Sequence, residues 1–373
     1  MTAVSLLQNL IRIPSVNPDG DPTSPHAGEA KIATHLKDLL TQNGFTVTLE
    51  EVLPDRPNLI ARCPGPENRP RILLGPHLDT VGVTGMTIDP FAAKIQDDKI
   101  WGRGASDTKG PMAAMLIGLF NNLDHLASCP VAVDFVAFMG EESSQPGSKH
   151  FAKHHAAEYE FALIGEPTSL QLVHCTKGSL WATLETTGKA THASQPHLGE
   201  NAILKLTASL DLLNRKFTNR LATYTHPTLG HSTLNIGTIT GGTRPNIVPD
   251  HASAQIDIRT TPDLGEAGGA QQLLQAFIVE QKLPLTITHS SEAPPMEVPS
   301  RNDWLQKTQT LQPSSNLVGA PWFSDAAHLT TAGLPSVCIG PGSIDQAHTA
   351  DEFISIQDLE DGANWFSHWL AQL

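Results

Sequence analysis

The sequence predicts an α/β protein built on a mostly parallel sheet, with a smaller unit of different pattern inserted into it. Three observations carry that prediction. The runs RILLG (71–75), VAVDFVAFMG (131–140), YEFALIG (159–165) and LPSVCIG (334–340) are short, apolar and closed by glycine, as strands buried on both faces are. Helical patterns lie among them, and strand–helix alternation produces parallel sheets. Between about 178 and 290 the pattern changes to alternating strands.

In order along the chain, residues 2–12 place apolar side chains at helical spacing until Pro14 and Pro18 stop the pattern. A second helix fits 27–43, ending at Gly44, and FTVTLEEV (45–52) follows as a strand. KGPMAAMLIGLFNNL (109–123) is apolar at most positions and reads as a buried helix with Pro111 near its first turn. In the insert, SLWATLETTG (179–188) is a strand and 200–215 a helix. STLNIGTITGG (232–242) and ASAQIDIRTTP (252–262) are strands, followed by a helix near 266–282 and the strand LPLTITHS (283–290). The order β-α-β-β-α-β is ferredoxin-like. The expected division is therefore 1–177 with 291–373 as one domain and 178–290 as the inserted one.

Composition is that of a globular protein, 39% hydrophobic and 17% charged. Twenty-four basic residues stand against 38 acidic ones, a net charge of −14 that argues against nucleic acid or an anionic membrane as partner. Cys63, Cys129, Cys175 and Cys338 are far apart and form no CxxC pair, so a reducing compartment is expected. With no signal-peptide pattern and no bilayer-length apolar run, the expected location is the cytoplasm.

The chemistry collects at strand ends. RILLG leads to His77 and Asp79, VAVDFVAFMG to Glu141 and Glu142, YEFALIG to Glu166, and LPSVCIG, through a Gly-Pro-Gly loop, to His348. In a parallel sheet these ends share one edge, where ligands bind. Asp107 lies just before the helix near Pro111, where a helix N-terminus favours negative charge. Imidazole and carboxylate without thiolate suit a catalytic zinc, cobalt or manganese site and argue against a structural zinc site. Asp79, two residues from His77, is placed to accept the second ring N–H of a ligating histidine. Each residue also has a plainer reading. Asp79 could cap a turn, Glu141 and Glu142 could be an acidic pair at a helix start, and Glu166-Pro167 could be a turn. His150, His154 and His155 have spacing that permits a metal pair but read as a solvated helix face. Trp322, Phe323 and Asp325 read as pocket wall and packing.

HLDTV (77–81), GRGASDTKG (102–110), GEES (140–143), GEPTS (165–169) and QAHTADE (346–352), in that order, resemble the M20 metallopeptidases over nearly the whole chain. GEPTSLQ and GPGSIDQAH are most similar to the acetylornithine deacetylase and succinyl-diaminopimelate desuccinylase branch. The resemblance implies two Zn2+ ions, with Co2+ or Mn2+ as alternatives. His77 and Glu166 would hold one, Glu142 and His348 the other, and Asp107 would bridge them. It further implies Glu141 as general base, Asp79 as the residue that orients His77, and a cis peptide after Asp107. Thr108 stands where the family commonly has Met.

In the insert the resemblance implies a dimerisation and lid domain. His192 (in GKATHASQPHLGENAI) would polarise the scissile carbonyl across a homodimer interface. Asn246 (GGTRPNIVPD) and Arg259 (IDIRTTP) would hold a substrate carboxylate, which a guanidinium fork matches. The loop from Gly340 to Ser343 would line the pocket. The implied activity is hydrolysis of the amide bond of a small N-acyl amino acid by metal-activated water. A di- or tripeptidase or a carboxypeptidase of the same family is the alternative. An inactive binding or scaffold member is opposed by the intact Glu141 and five intact ligand positions.

Overall fold

The computed structural model describes residues 1–373. The chain forms two compact units, one of Met1–His174, Val298–Val318 and Ser324–Leu373, the other of Cys175–Glu297 and Gly319–Phe323.

The first unit is organised by a mixed sheet. Its centre is parallel, in the order Ala132–Ala137, Arg71–Pro76, Phe161–Gly165, Ser336–Ile339. Every residue of these strands is buried except Arg71 at the start of its run, which is why they read as continuous apolar segments. The flanks are antiparallel. Arg56–Arg62 joins one side with Thr46–Leu53 beyond it, and Leu172–Thr176 pairs on the other. Arg56–Arg62 escapes a reading by pattern because Pro57 argues against a strand. It is tolerated there because only Leu59–Ala61 pair inward with Phe135–Ala137, so the missing N–H of Pro57 forfeits no bond on that side.

Helices cover this sheet. Ala3–Ile11 starts on a capping box, in which Thr2 Oγ1 accepts from Ser5 N and Ser5 Oγ accepts from Thr2 N, both at 3.1 Å. Lys109–Asn121 is buried from Lys109 through Leu119, so it shows no polar face. Against it lies a helix that the sequence reading leaves out, Ile356–Leu370, capped by Ser355 Oγ on Asp358 N at 2.9 Å and burying Trp365, Phe366 and Trp369. Gly118 permits the close approach, since a Cβ there would meet Phe366 Cβ at 2.6 Å.

The second unit is a four-stranded antiparallel sheet in the order Thr233–Gly241, His251–Thr260, Gly178–Thr187, Thr286–Ala293. Helices Ala202–Leu212 and Gly269–Glu280 follow the first and third strands in the chain. Alternation of apolar and polar residues puts Leu180, Ala182 and Leu184 with Ala252, Ala254, Ile256 and Ile258 in one core beside Leu206, Leu210, Leu274 and Phe277. No helix of either unit is long and apolar enough to cross a membrane. All four cysteines are buried.

Candidate metal centre

Apart from Asp107, the candidate ligands and Glu141 follow the C-terminal ends of strands of the parallel centre. His77 follows Arg71–Pro76, where Leu78 N donates to Phe138 O at 2.7 Å across to the neighbouring strand. Glu141 and Glu142 follow Ala132–Ala137 by a turn through Gly140, whose φ of +75° favours glycine. Glu166 comes directly after Phe161–Gly165, and His348 after Ser336–Ile339 and its loop, with φ of +62°. Asp107 precedes the helix Lys109–Asn121, and its peptide bond to Thr108 is cis.

The two oxygens of Asp107 face different imidazoles. Oδ1 lies 3.0 Å from His77 Nε2 and Oδ2 lies 3.4 Å from His348 Nε2, while His348 Nε2 is also 3.0 Å from Glu142 Oε2. Two triads result, His77–Asp107–Glu166 and Asp107–Glu142–His348, and within each the ligand atoms lie within 4.8 Å of one another. Glu141 belongs to neither. Its Oε1 accepts from Gln145 Nε2 at 2.9 Å.

Asp79 is fully buried and does more than face His77. The His77 Nδ1 bond is to the Asp79 backbone carbonyl at 2.9 Å, with carboxylate Oδ1 farther off at 3.5 Å. The carboxylate instead accepts from the backbone N–H groups of Glu141 and Glu142, both at 3.0 Å, and from Asn17 Nδ2 at 2.7 Å. One residue, through its backbone carbonyl and its carboxylate, thus sets the His77 end and the acidic turn together.

Electrostatics here are severe. Burial pushes Glu141 and Glu166 well above the usual carboxylate range. His77 pulls both down, while neighbouring carboxylates, Glu166 beside Glu141 and Asp107 beside Glu166, push them further up. Burial, then repulsion from Asp107, lifts Glu142 to about 7. Asp325, also buried, is lifted to about 7. Asp107 is held well below its ordinary value because hydrogen bonds from His348 and His77 outweigh burial. His348 is raised to about 10, first by its hydrogen bond with Asp107 and then by that with Glu142. Two imidazoles cannot neutralise Asp79, Asp107, Glu141, Glu142, Glu166 and Asp325. Moreover, Glu142 Oε1 is buried without a hydrogen-bond partner. Divalent cations remove both conflicts, and a donor set of imidazole and carboxylate without thiolate suits zinc, cobalt or manganese.

Residues 73–372 match the family model described as peptidase family M20/M25/M40. The chain belongs to this family. It is therefore an M20-family hydrolase carrying candidate metal-binding groups. Among its relatives is acetylornithine deacetylase from Yersinia pseudotuberculosis, 30% identical over 370 residues, 96% of this chain and 94% of that protein. Another is a protein named probable carboxypeptidase from Aspergillus flavus, 29% identical over 392 aligned positions, 99% of this chain and 89% of the relative. In structure, the chain is similar to an M20 family metallo-carboxypeptidase from Sulfolobus solfataricus, with a TM-score of 0.80 at 18% identity, covering 100% of this chain and 99% of the other.

Of the remaining sequence-derived candidates of this M20 chain, one borders the centre and three lie in the second unit. Gly340 is buried, its N–H on Thr168 Oγ1 at 3.2 Å and its carbonyl accepting from Leu170 N at 2.9 Å. A Cβ there would meet Glu166 O at 2.6 Å, so the glycine keeps its loop close against Glu166. In the second unit, His192 is exposed with Nδ1 held by Ser194 Oγ at 2.7 Å, and Asn246 is exposed in the loop after Thr233–Gly241. Arg259 is half-buried, bonded to Asp257 Oδ2 at 3.0 Å and lying over the Phe323 ring at 5.5 Å.

Sequence reasoning missed several residues around the centre. Glu352 is fully buried and holds the Asp107 loop. Its Oε1 accepts from Ser106 N and Asp107 N at 2.8 and 3.0 Å, and its Oε2 accepts from Gly104 N and Arg103 Nη1 at 3.0 and 2.8 Å. Its place in QAHTADE was the available signal. Asn17, Gln145 and His328 gave none, because nothing local marks a polar residue as bonded to a distant loop.

Proposed function

We propose that this chain hydrolyses the amide bond of an N-acyl amino acid, in the manner of the acetylornithine deacetylases, with two Zn2+ ions held by His77, Asp107, Glu142, Glu166 and His348. The pair of triads sharing Asp107 supports metal-dependent amide hydrolysis, and the acetylornithine deacetylase relative aligned over 96% of this chain supports an acyl amino acid as substrate. His77 and Glu166 would hold one ion and Glu142 and His348 the other, with Asp107 shared between them. When bound, such a pair lowers the pKa of a shared water toward about 7 and polarises a carbonyl oxygen.

Glu141 sits beside this cage without belonging to either triad, which leaves its carboxylate available as general base. It takes a proton from the attacking water as the new C–O bond forms. It returns that proton to the amide nitrogen as the C–N bond breaks, releasing a carboxylic acid and an amine. Asp79 fixes the backbone of Glu141 and Glu142, so base and ligand move as one piece. In the proposed homodimer, built through the second unit, His192 of the partner subunit stabilises the oxyanion, and Asn246 and Arg259 hold the substrate carboxylate.

A peptidase reading has its own support in the Aspergillus flavus relative, which aligns over nearly the whole chain. The two readings share every metal ligand and differ only in what flanks the scissile amide. Purified protein loaded with defined zinc or cobalt would be assayed on N-acetylornithine, N-succinyl-diaminopimelate, N-acetylcitrulline and a dipeptide panel. Turnover of the acyl amino acids over dipeptides supports the deacylase. The reverse preference establishes the peptidase, and no turnover of either class by fully loaded protein overturns both.

A further inference from the structure

Beyond the ligand cage, the side chain of Glu141 is held by a chain of two hydrogen bonds that the reaction does not itself require. Gln145 Nε2 donates to Glu141 Oε1 at 2.9 Å, and Gln145 Oε1 lies 2.8 Å from His328 Nε2. We propose that Gln145 and His328 are positioning residues whose relay aims the Glu141 carboxylate for proton transfer. The inference rests on the reading of Glu141 as general base.

Geometry and chemistry both support it. Gln145 is 1% exposed and His328 9% exposed, so water does not compete freely for these bonds. Gln145 adopts left-handed backbone angles, φ +53° and ψ +47°, at the residue before the helix Pro146–His154, which places its side chain back over the turn that carries Glu141. Its own backbone N–H is satisfied by Ser143 O at 2.8 Å, leaving the amide group for the relay.

A glutamine amide has two unlike ends, and His328 selects between them. Burial, then the nearby Lys149, pushes His328 down to about 4, so its ring is neutral and carries one N–H. With that proton on Nε2 it donates to Gln145 Oε1, and the amide NH2 group must face Glu141. The opposite amide orientation would set a carbonyl oxygen against a carboxylate. One Glu141 oxygen is therefore pinned while the other stays free to accept a proton. A neutral donor does this without a positive charge beside the metal ions, which a lysine or arginine in its place would add.

The test uses the metal-loaded full-length protein and compares Gln145→Met, His328→Gln, His328→Phe and Glu141→Gln. Gln145→Met keeps length and removes both bonds. It should lower kcat about 10- to 100-fold, the range for loss of an outer-sphere partner, with KM within about twofold and bound metal per chain unchanged by elemental analysis. His328→Phe should lower kcat similarly, and His328→Gln, which keeps a donor, should recover most of it. In the unaltered protein, 15N NMR of labelled histidine should show His328 as the Nε2–H tautomer. An unchanged kcat in Gln145→Met beside an inactive Glu141→Gln overturns the relay and leaves the base in place. So does an Nδ1–H tautomer. Normal turnover by Glu141→Gln overturns the base reading and the relay with it. If His328→Phe fails to fold, Gln145→Met and the NMR signature still decide.

Discussion

The two units solve the burial problem in opposite ways. The second buries no carboxylate, builds its core from leucine, isoleucine, alanine and phenylalanine, and leaves Trp181 52% exposed on the strand that carries Leu180 and Ala182. The first buries Asp79, Asp107, Glu166 and Asp325 within a rim that also holds Glu141 and Glu142. Burial of like charges is strongly unfavourable unless a cation or a dense set of donors answers it. Some are answered by the protein, as Glu352 is by Arg103 and three backbone N–H groups. In the two triads Asp107 is answered by His77 and His348, whereas burial leaves Glu142 and Glu166 raised. A folded chain that tolerates this conflict in one place and avoids it in the other marks the place where ions bind.

The comparison can be broken most decisively at Asp107. Asp107→Ala removes a ligand from both triads, and metal content by elemental analysis should fall toward zero, with activity down more than about 10⁴-fold. Retention of two ions would show that the shared carboxylate is not shared. Glu141→Gln should lose about 10²- to 10⁴-fold in kcat with metal content intact, as removal of a general base does. Leu184→Ala tests the other unit. Its side chain is fully buried, so the change should destabilise by about 2–5 kcal/mol in denaturant titration while bound metal stays the same. Arg259→Ala should raise KM about tenfold, or roughly 1.4 kcal/mol, with a smaller change in kcat if the guanidinium binds substrate.

The smallest effect belongs to a surface clasp of the first unit, where His155 Nδ1 meets Glu158 at 2.8 Å and Nε2 meets Glu50 at 3.1 Å. Burial lowers His155, but the bonds to Glu158 and Glu50 outweigh it and raise its pKa, so its contribution is present below the unfolded value and fades as pH rises through the folded one. In Glu50 and Glu158 burial acts upward and is outweighed by His155. Both are lowered, and their contribution fades as pH falls through their folded values. The window lies between ordinary carboxylate and histidine titration. His155→Ala should lower Tm by about 1–2 °C near pH ~5.5 and by less near pH ~8.5, a modest loss because the pair is partly solvated.

The amino-acid sequence by itself determined the parallel centre, because strands buried on both faces must be apolar throughout, and it marked the alternating strands of the second sheet, because a half-exposed sheet must alternate. It also placed His77, Glu141, Glu142 and Glu166 just past strand ends and His348 beyond the loop after another, since those positions follow from strand length and direction. Only the tertiary structure decided which oxygen of Asp107 meets which histidine. It likewise decided that the Asp79 carboxylate clamps the Glu141–Glu142 turn, and that Glu352, Gln145 and His328 support the rim. Such contacts join residues up to 249 positions apart through single hydrogen bonds. A hydrogen bond leaves no periodicity in the chain, because its partner is chosen by the fold and not by its neighbours in sequence.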